Sequence, residues 1–93
     1  MLHEDRSKLS ALTQDLKRAT DSLIEEFQAI DYYRQRIDAS SDENLKKILA
    51  HNMNEEKEHG MMLLEWVRQH DTNLAKEVEH YVGSGKSDIA SIE

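Results

Sequence analysis

Cysteine is absent from the 93 residues. Disulfides, thiolate metal sites and thiol nucleophiles are therefore excluded, and any metal would have to take Glu, Asp or His. Proline is absent too, and glycine occurs only three times. With so little to interrupt them, long amphipathic helices are favoured over sheet, and an all-α fold is expected. Aromatic residues make up 5% against 33% charged and 38% hydrophobic, so a chain this short has little material for a private core, and a partner chain is expected. Basic residues are outnumbered, twelve against nineteen acids, for a formal charge of -7. That balance repels phosphate backbones, which argues against nucleic acid and in favour of cations. No segment approaches the roughly 18 apolar residues of a membrane span, and MLHEDRSK is charged from its start. The expectation is a soluble cytoplasmic chain with no membrane partner.

What is present is periodicity. At alternating steps of three and four, positions 9, 12, 16, 19, 23, 26, 30, 33 and 37 read Leu, Leu, Leu, Ala, Leu, Glu, Ile, Tyr, Ile. This is an apolar seam broken once by a carboxylate. It predicts a first helix from about Asp5 to Asp38, with Ile24 and Phe27 widening its apolar face. Ser40 followed by Glu43 has the spacing of a capping box, which places the start of a second, antiparallel helix after a very short turn. Positions 45, 49, 52, 56, 59, 63, 66 and 70 then read Leu, Leu, Asn, Glu, His, Leu, Trp, His, apolar towards both ends and polar in the middle. Asp71 predicts the N-cap of a short third helix containing Leu74, Val78 and Tyr81, ended by Gly83. Residues 1–82 thus read as one helical domain, and residues 83–93 as a flexible tail.

The two polar interruptions lie at similar depth. Measured from a turn near Ala39 at 1.5 Å per residue, Glu26, Glu56 and His59 stand at ~20, ~25 and ~30 Å. Glu56 and His59, three residues apart, share a helix face. A buried carboxylate needs a positive partner, and neither seam offers Lys or Arg at that level. A divalent metal would supply the charge, and carboxylate plus imidazole suits iron, manganese or zinc. Di-iron sites of four-helix bundles use one Glu from each of two helices and a Glu-x-x-His from each of the other two. One chain supplies half of that set, and a twofold dimer would complete both the bundle and the site.

The bland readings point elsewhere. A lone Glu26 is more simply a surface residue, and a lone His59 a satisfied core histidine. Glu55 and Glu58 turn away from the seam towards solvent. His51, His70 and His80 read as structural, and Met61 and Met62 as packing. Trp66 reads as an interface anchor.

The stretches EEFQAIDYYRQRIDAS (25–40) and ILAHNMNEEKEHGMMLLEWVRQHD (48–71) resemble the encapsulated ferritins. These are short ferritin-like two-helix hairpins with a third helix. The resemblance implies antiparallel homodimers that complete a four-helix bundle, a ring of five such dimers, and a di-iron ferroxidase centre across each dimer interface. By position, Glu26, Glu56 and His59 correspond to the family's iron ligands, and Tyr33 to the tyrosine beside the centre. Glu25 matches one acid of an outer metal-uptake site whose companion position holds Gln28 here, and Tyr32 replaces a tryptophan common in relatives. Residence inside an encapsulin nanocompartment is also implied, with a docking peptide after the third helix that SDIASIE does not visibly contain.

The expected function is oxidation of Fe(II) to Fe(III) in iron storage and detoxification, with iron as the site's metal and the encapsulin shell as a partner. The alternatives are a metal-stabilised helical assembly without turnover and an acidic adaptor protein.

Overall fold

The computed structural model describes residues 1–93 and contains helices but no strand. Helix α1 spans Ala11–Ala39, α2 spans Glu43–Gln69, and α3 spans Thr72–Tyr81. The first helix starts six residues later than the periodicity suggested. Asp5 caps a separate 3-10 turn, Arg6–Lys8, by accepting from the amide of Ser7 at 2.9 Å. Leu9 is then extended, and Ser10 becomes the N-cap of α1, its hydroxyl accepting from the amide of Thr13 at 3.1 Å. A serine hydroxyl satisfies one of the four amides left unpaired at a helix start, which fixes the boundary there.

The hairpin turn also departs from expectation. Ser40 does not cap α2. Its amide donates to the carbonyl of Arg36 and closes α1, while its hydroxyl accepts from the amide of Asp42 at 3.1 Å. Asp42 is the N-cap of α2, accepting from the amide of Leu45 at 3.0 Å. The capping box is therefore not formed, because a carboxylate two residues on takes the amide that starts the helix. Asp71 caps α3 as expected, accepting from the amide of Leu74 at 3.0 Å. Beyond Val82, Gly83 adopts a φ of 80°, the left-handed geometry that ends helices. A short 3-10 turn, Ile89–Ser91, lies in the segment for which no regular structure was expected.

Packing follows from the three-residue turn, which sends α2 back along α1, while α3 folds against α2 through the half-buried Leu74, Ala75 and Val78. Two helices in contact cover only a narrow stripe of each. Ala19 and Ile30 of α1 and Gly60 and Val67 of α2 are the four residues counted as buried. Ile24, Phe27, Ile48, Met61 and Met62 remain exposed. The apolar pattern is thus wider than one hairpin can cover. No helix is long and apolar enough to cross a membrane.

Candidate metal centre

Along the stripe between α1 and α2, Glu26 of the first helix meets Glu56 and His59 of the second. Counted from the helix ends, Glu26 lies thirteen residues before Ala39 and Glu56 thirteen after Glu43. The two carboxylates are thus level, because the intervening turn adds no net height. His59, one turn further along α2, faces the same way. One ligand-type atom from each of the three lies within 4.8 Å of the others. His59 Nδ1 is 3.7 Å from Glu26 Oε2 and 3.7 Å from Glu56 Oε2.

These separations are too long for hydrogen bonds, yet they bring two acids and one imidazole to a common point. His59 is the only basic side chain within 4.0 Å of either carboxylate. Glu26 Oε2 is buried and has no hydrogen-bond partner. A buried carboxylate oxygen with no donor is costly and rare in a satisfied interior, so this atom calls for a ligand. Donors bound to one ion at about 2.1 Å lie roughly 3–4 Å apart, slightly closer than the widest separation here. The donor set therefore fits a divalent cation held by two carboxylates and an imidazole. Both carboxylates are half-buried and His59 is exposed, so the group opens to the surface on the side of His59.

The structure separates the other candidates from this cluster. Tyr33 is half-buried, but it lies seven residues beyond Glu26, or about 10 Å along α1. Its ring sits beneath the guanidinium of Arg36, 5.6 Å from ring centroid to charge centre, and the same guanidinium lies 6.0 Å from Tyr32. Within one chain, Tyr33 does not join the three donors. Glu25 and Gln28 are exposed and stand outside the group. Glu58 is exposed as expected, and Glu55 pairs with His51 at 2.8 Å on the surface of α2. His70 stacks on Trp66 at 4.1 Å, and His80 on Tyr81 at 4.7 Å. Two surface clefts lie away from the cluster, one beside Leu2, Arg6 and Lys17, the other against Trp66.

Sequence reasoning missed Gly60. It is buried directly after His59, and a Cβ there would stand 3.4 Å from Phe27, 3.7 Å from Leu23 and 3.8 Å from Glu26. The missing side chain leaves α2 bare where α1 presents its carboxylate. The available signal was a glycine inside an otherwise unbroken helical pattern.

Residues 1–84 match the family model described as EncFtn-like. The chain belongs to the encapsulated ferritin family. Relatives of this EncFtn-like chain include the "Encapsulated ferritin-like protein" of Rhodospirillum rubrum, 46% identical over 80 residues, which are 86% of this chain and 57% of that one. The chain thus spans little more than half the length of that relative. The "Ferritin-like protein" of Thermotoga maritima is 41% identical over 91 residues, 98% of this chain and 79% of that one. A crystal structure of a Nitrosomonas europaea protein is 48% identical, with a TM-score of 0.87 over 91% of this chain and 93% of that one. The EncFtn-like hairpin is therefore shared, in fold and in sequence, with a solved structure.

Proposed function

We propose that this encapsulated ferritin is a ferroxidase that oxidises Fe(II) to Fe(III) at a di-iron centre formed between two copies of the chain. The observation that carries this reading is the buried, unpartnered Oε2 of Glu26, facing His59 and Glu56 across the helix pair. One chain offers two carboxylates and one imidazole, half of the donor set that a di-iron bundle uses. Two copies related by a twofold axis provide the remainder. The exposed Ile48 and Met62, on the flank of α2 to which His59 turns, are apolar surface for such a pairing to cover.

Iron is the substrate here. Glu26 and Glu56 bind it and balance its charge, and His59 supplies nitrogen ligation. The rigid helices hold the donors in place as the ions each lose an electron to oxygen or peroxide. Tyr33, remote from the cluster of its own chain, acts beside the centre that a second copy of the chain completes. Glu25 assists iron uptake at the rim. A hairpin encloses no storage space, so the ferric product is deposited elsewhere. A five-dimer ring within an encapsulin lumen is the setting that the family resemblance supports.

Two carboxylates and an imidazole also suit zinc, which would make the site a structural clamp without turnover. Anaerobic titration with Fe(II), followed by air, separates the two readings. A ferroxidase binds about two irons per two chains and develops ferric absorbance within seconds to minutes. Binding without that absorbance leaves the clamp and removes the ferroxidase.

A further inference from the structure

The back of α1 is shielded by something other than α2. Lys17 stands nine residues before Glu26, about two and a half turns, so the two side chains leave opposite sides of the helix. Gln14, Lys17 and Asp21 are nevertheless half-buried. The segment before Ser10 folds back over them, and Leu2 and Arg6 line one cleft with Gln14, Lys17, Arg18 and Asp21, about 370 Å³ in volume. Gln14 ties that segment down by donating from Nε2 to the carbonyl of Leu9 at 3.2 Å. Because the cleft lies behind α1, a second copy that covers the His59 side of the hairpin leaves it open.

Three of the chain's twelve Lys and Arg residues line this cleft against a single acid, whereas acids outnumber bases nineteen to twelve in the whole chain. Their donors are only partly used. Lys17 gives two N–H groups to Asp21, at 2.8 Å to each oxygen, and keeps one. Arg18 gives Nη1 to Asp15 at 2.6 Å and keeps Nε and Nη2. Arg6 makes no ion pair, so its planar fork of N–H groups is uncommitted. Spare cationic donors around one open volume suit a ligand with several anionic oxygens, held by charge-assisted hydrogen bonds. The volume is at the small end of the roughly 300–1,000 Å³ of small-molecule sites.

We propose that this cleft binds a small multivalent oxyanion, of the phosphate or polycarboxylate type, with Arg6 and Lys17 as its principal donors. Asp21 competes with the ligand for Lys17 and weakens the site. The inference stands apart from the metal centre and from the ferroxidase reading.

The test uses the full chain freed of metal, so that no anion enters through an ion at Glu26, Glu56 and His59. Calorimetric titration at low salt with pyrophosphate, and separately with citrate, should show saturable sub-millimolar binding of at least one. Arg6→Gln and Lys17→Gln should each weaken it at least about fivefold, as should about 0.3 M salt. Asp21→Asn should tighten it at least about threefold, a gain that a damaged fold does not mimic. Lys86→Gln removes a positive charge from the tail and should bind as the parent does. Pyrophosphate binding alone makes the ligand phosphate-like, citrate binding alone makes it a polycarboxylate, and binding of both means recognition by charge. Absence of saturable binding for both overturns the inference. So does equal weakening in Lys86→Gln and Arg6→Gln, or unchanged or weaker binding in Asp21→Asn.

Discussion

His59 holds its Nδ1 3.7 Å from Oε2 of Glu26, an oxygen that is buried and receives no hydrogen bond. The contact joins the two long helices across their shared stripe. It sets the metal-free chain against itself, since the carboxylate that a cation would use destabilises the hairpin until the cation arrives.

Glu26→Gln separates those two effects. Without metal the variant should be more stable than the parent by about 0.5–1 kcal/mol, because an uncharged amide is less costly to bury than an unpaired carboxylate. Rapid Fe(II) oxidation should disappear at the same time. Urea unfolding with chelator present, beside stopped-flow absorbance with iron, reads both. A variant less stable than the parent would mean that Glu26 is satisfied in the metal-free protein.

Gly60 makes the opposite kind of test, of space rather than charge. A methyl group there meets Phe27, Leu23 and Glu26 at ordinary contact distances of 3.4 to 3.8 Å. Gly60→Ala should therefore gain about 0.5–1 kcal/mol from lower backbone entropy in the unfolded chain, with iron oxidation retained. Gly60→Leu has no room in the same place and should lose stability by about 1–3 kcal/mol. Chemical denaturation of the three proteins gives the order directly.

The turn between α1 and α2 predicts unequal effects from two neighbouring caps. Asp42→Ala removes the acceptor for the amide of Leu45 and should cost about 1 kcal/mol. Ser40→Ala leaves that bond in place and should cost less. The capping-box reading of the sequence reverses this order, so a pair of thermal melts distinguishes them.

Glu65 supplies a prediction in acid. Arg68 donates to it at 2.7 Å, and Gln69 assists, which together lower its pKa from 4.5 to about 2. The folded value lies below the unfolded one, so what this pair adds to stability is present above about 4.5 and is lost as the pH falls through about 2. Carboxyl carbon NMR should find Glu65 titrating near the lower value. Arg68→Gln should return it towards the ordinary carboxylate range.

Much of this was legible in the chain. A first seam broken only by Glu26, and a second that is polar at Asn52, Glu56 and His59, put the three donors at similar depth on facing helices. Their computed heights disagreed by several ångströms because the turn was taken at Ala39 alone. Counting from the true helix ends brings the two carboxylates level. The ends themselves were less legible. At the start of α1 Asp5 and Ser10, and at the start of α2 Ser40 and Asp42, are each able to cap, and spacing does not reveal which one begins the helix. Gly60 was legible only as an oddity, since its role depends on Phe27 and Leu23 from the other helix. Tyr33 shares the seam with Glu26 but stands two turns along the same helix, so its place beside a metal depends on a second copy of the chain.

With four of 93 residues buried, an isolated chain has little apolar surface to hydrate when it melts. Heat capacity then becomes a gauge of assembly. A lone hairpin should unfold with an increment well below the roughly 12–15 cal/mol/K per residue of ordinary domains. Any approach to that range in calorimetry measures how much of Ile24, Phe27, Ile48 and their neighbours has been covered by something outside the chain.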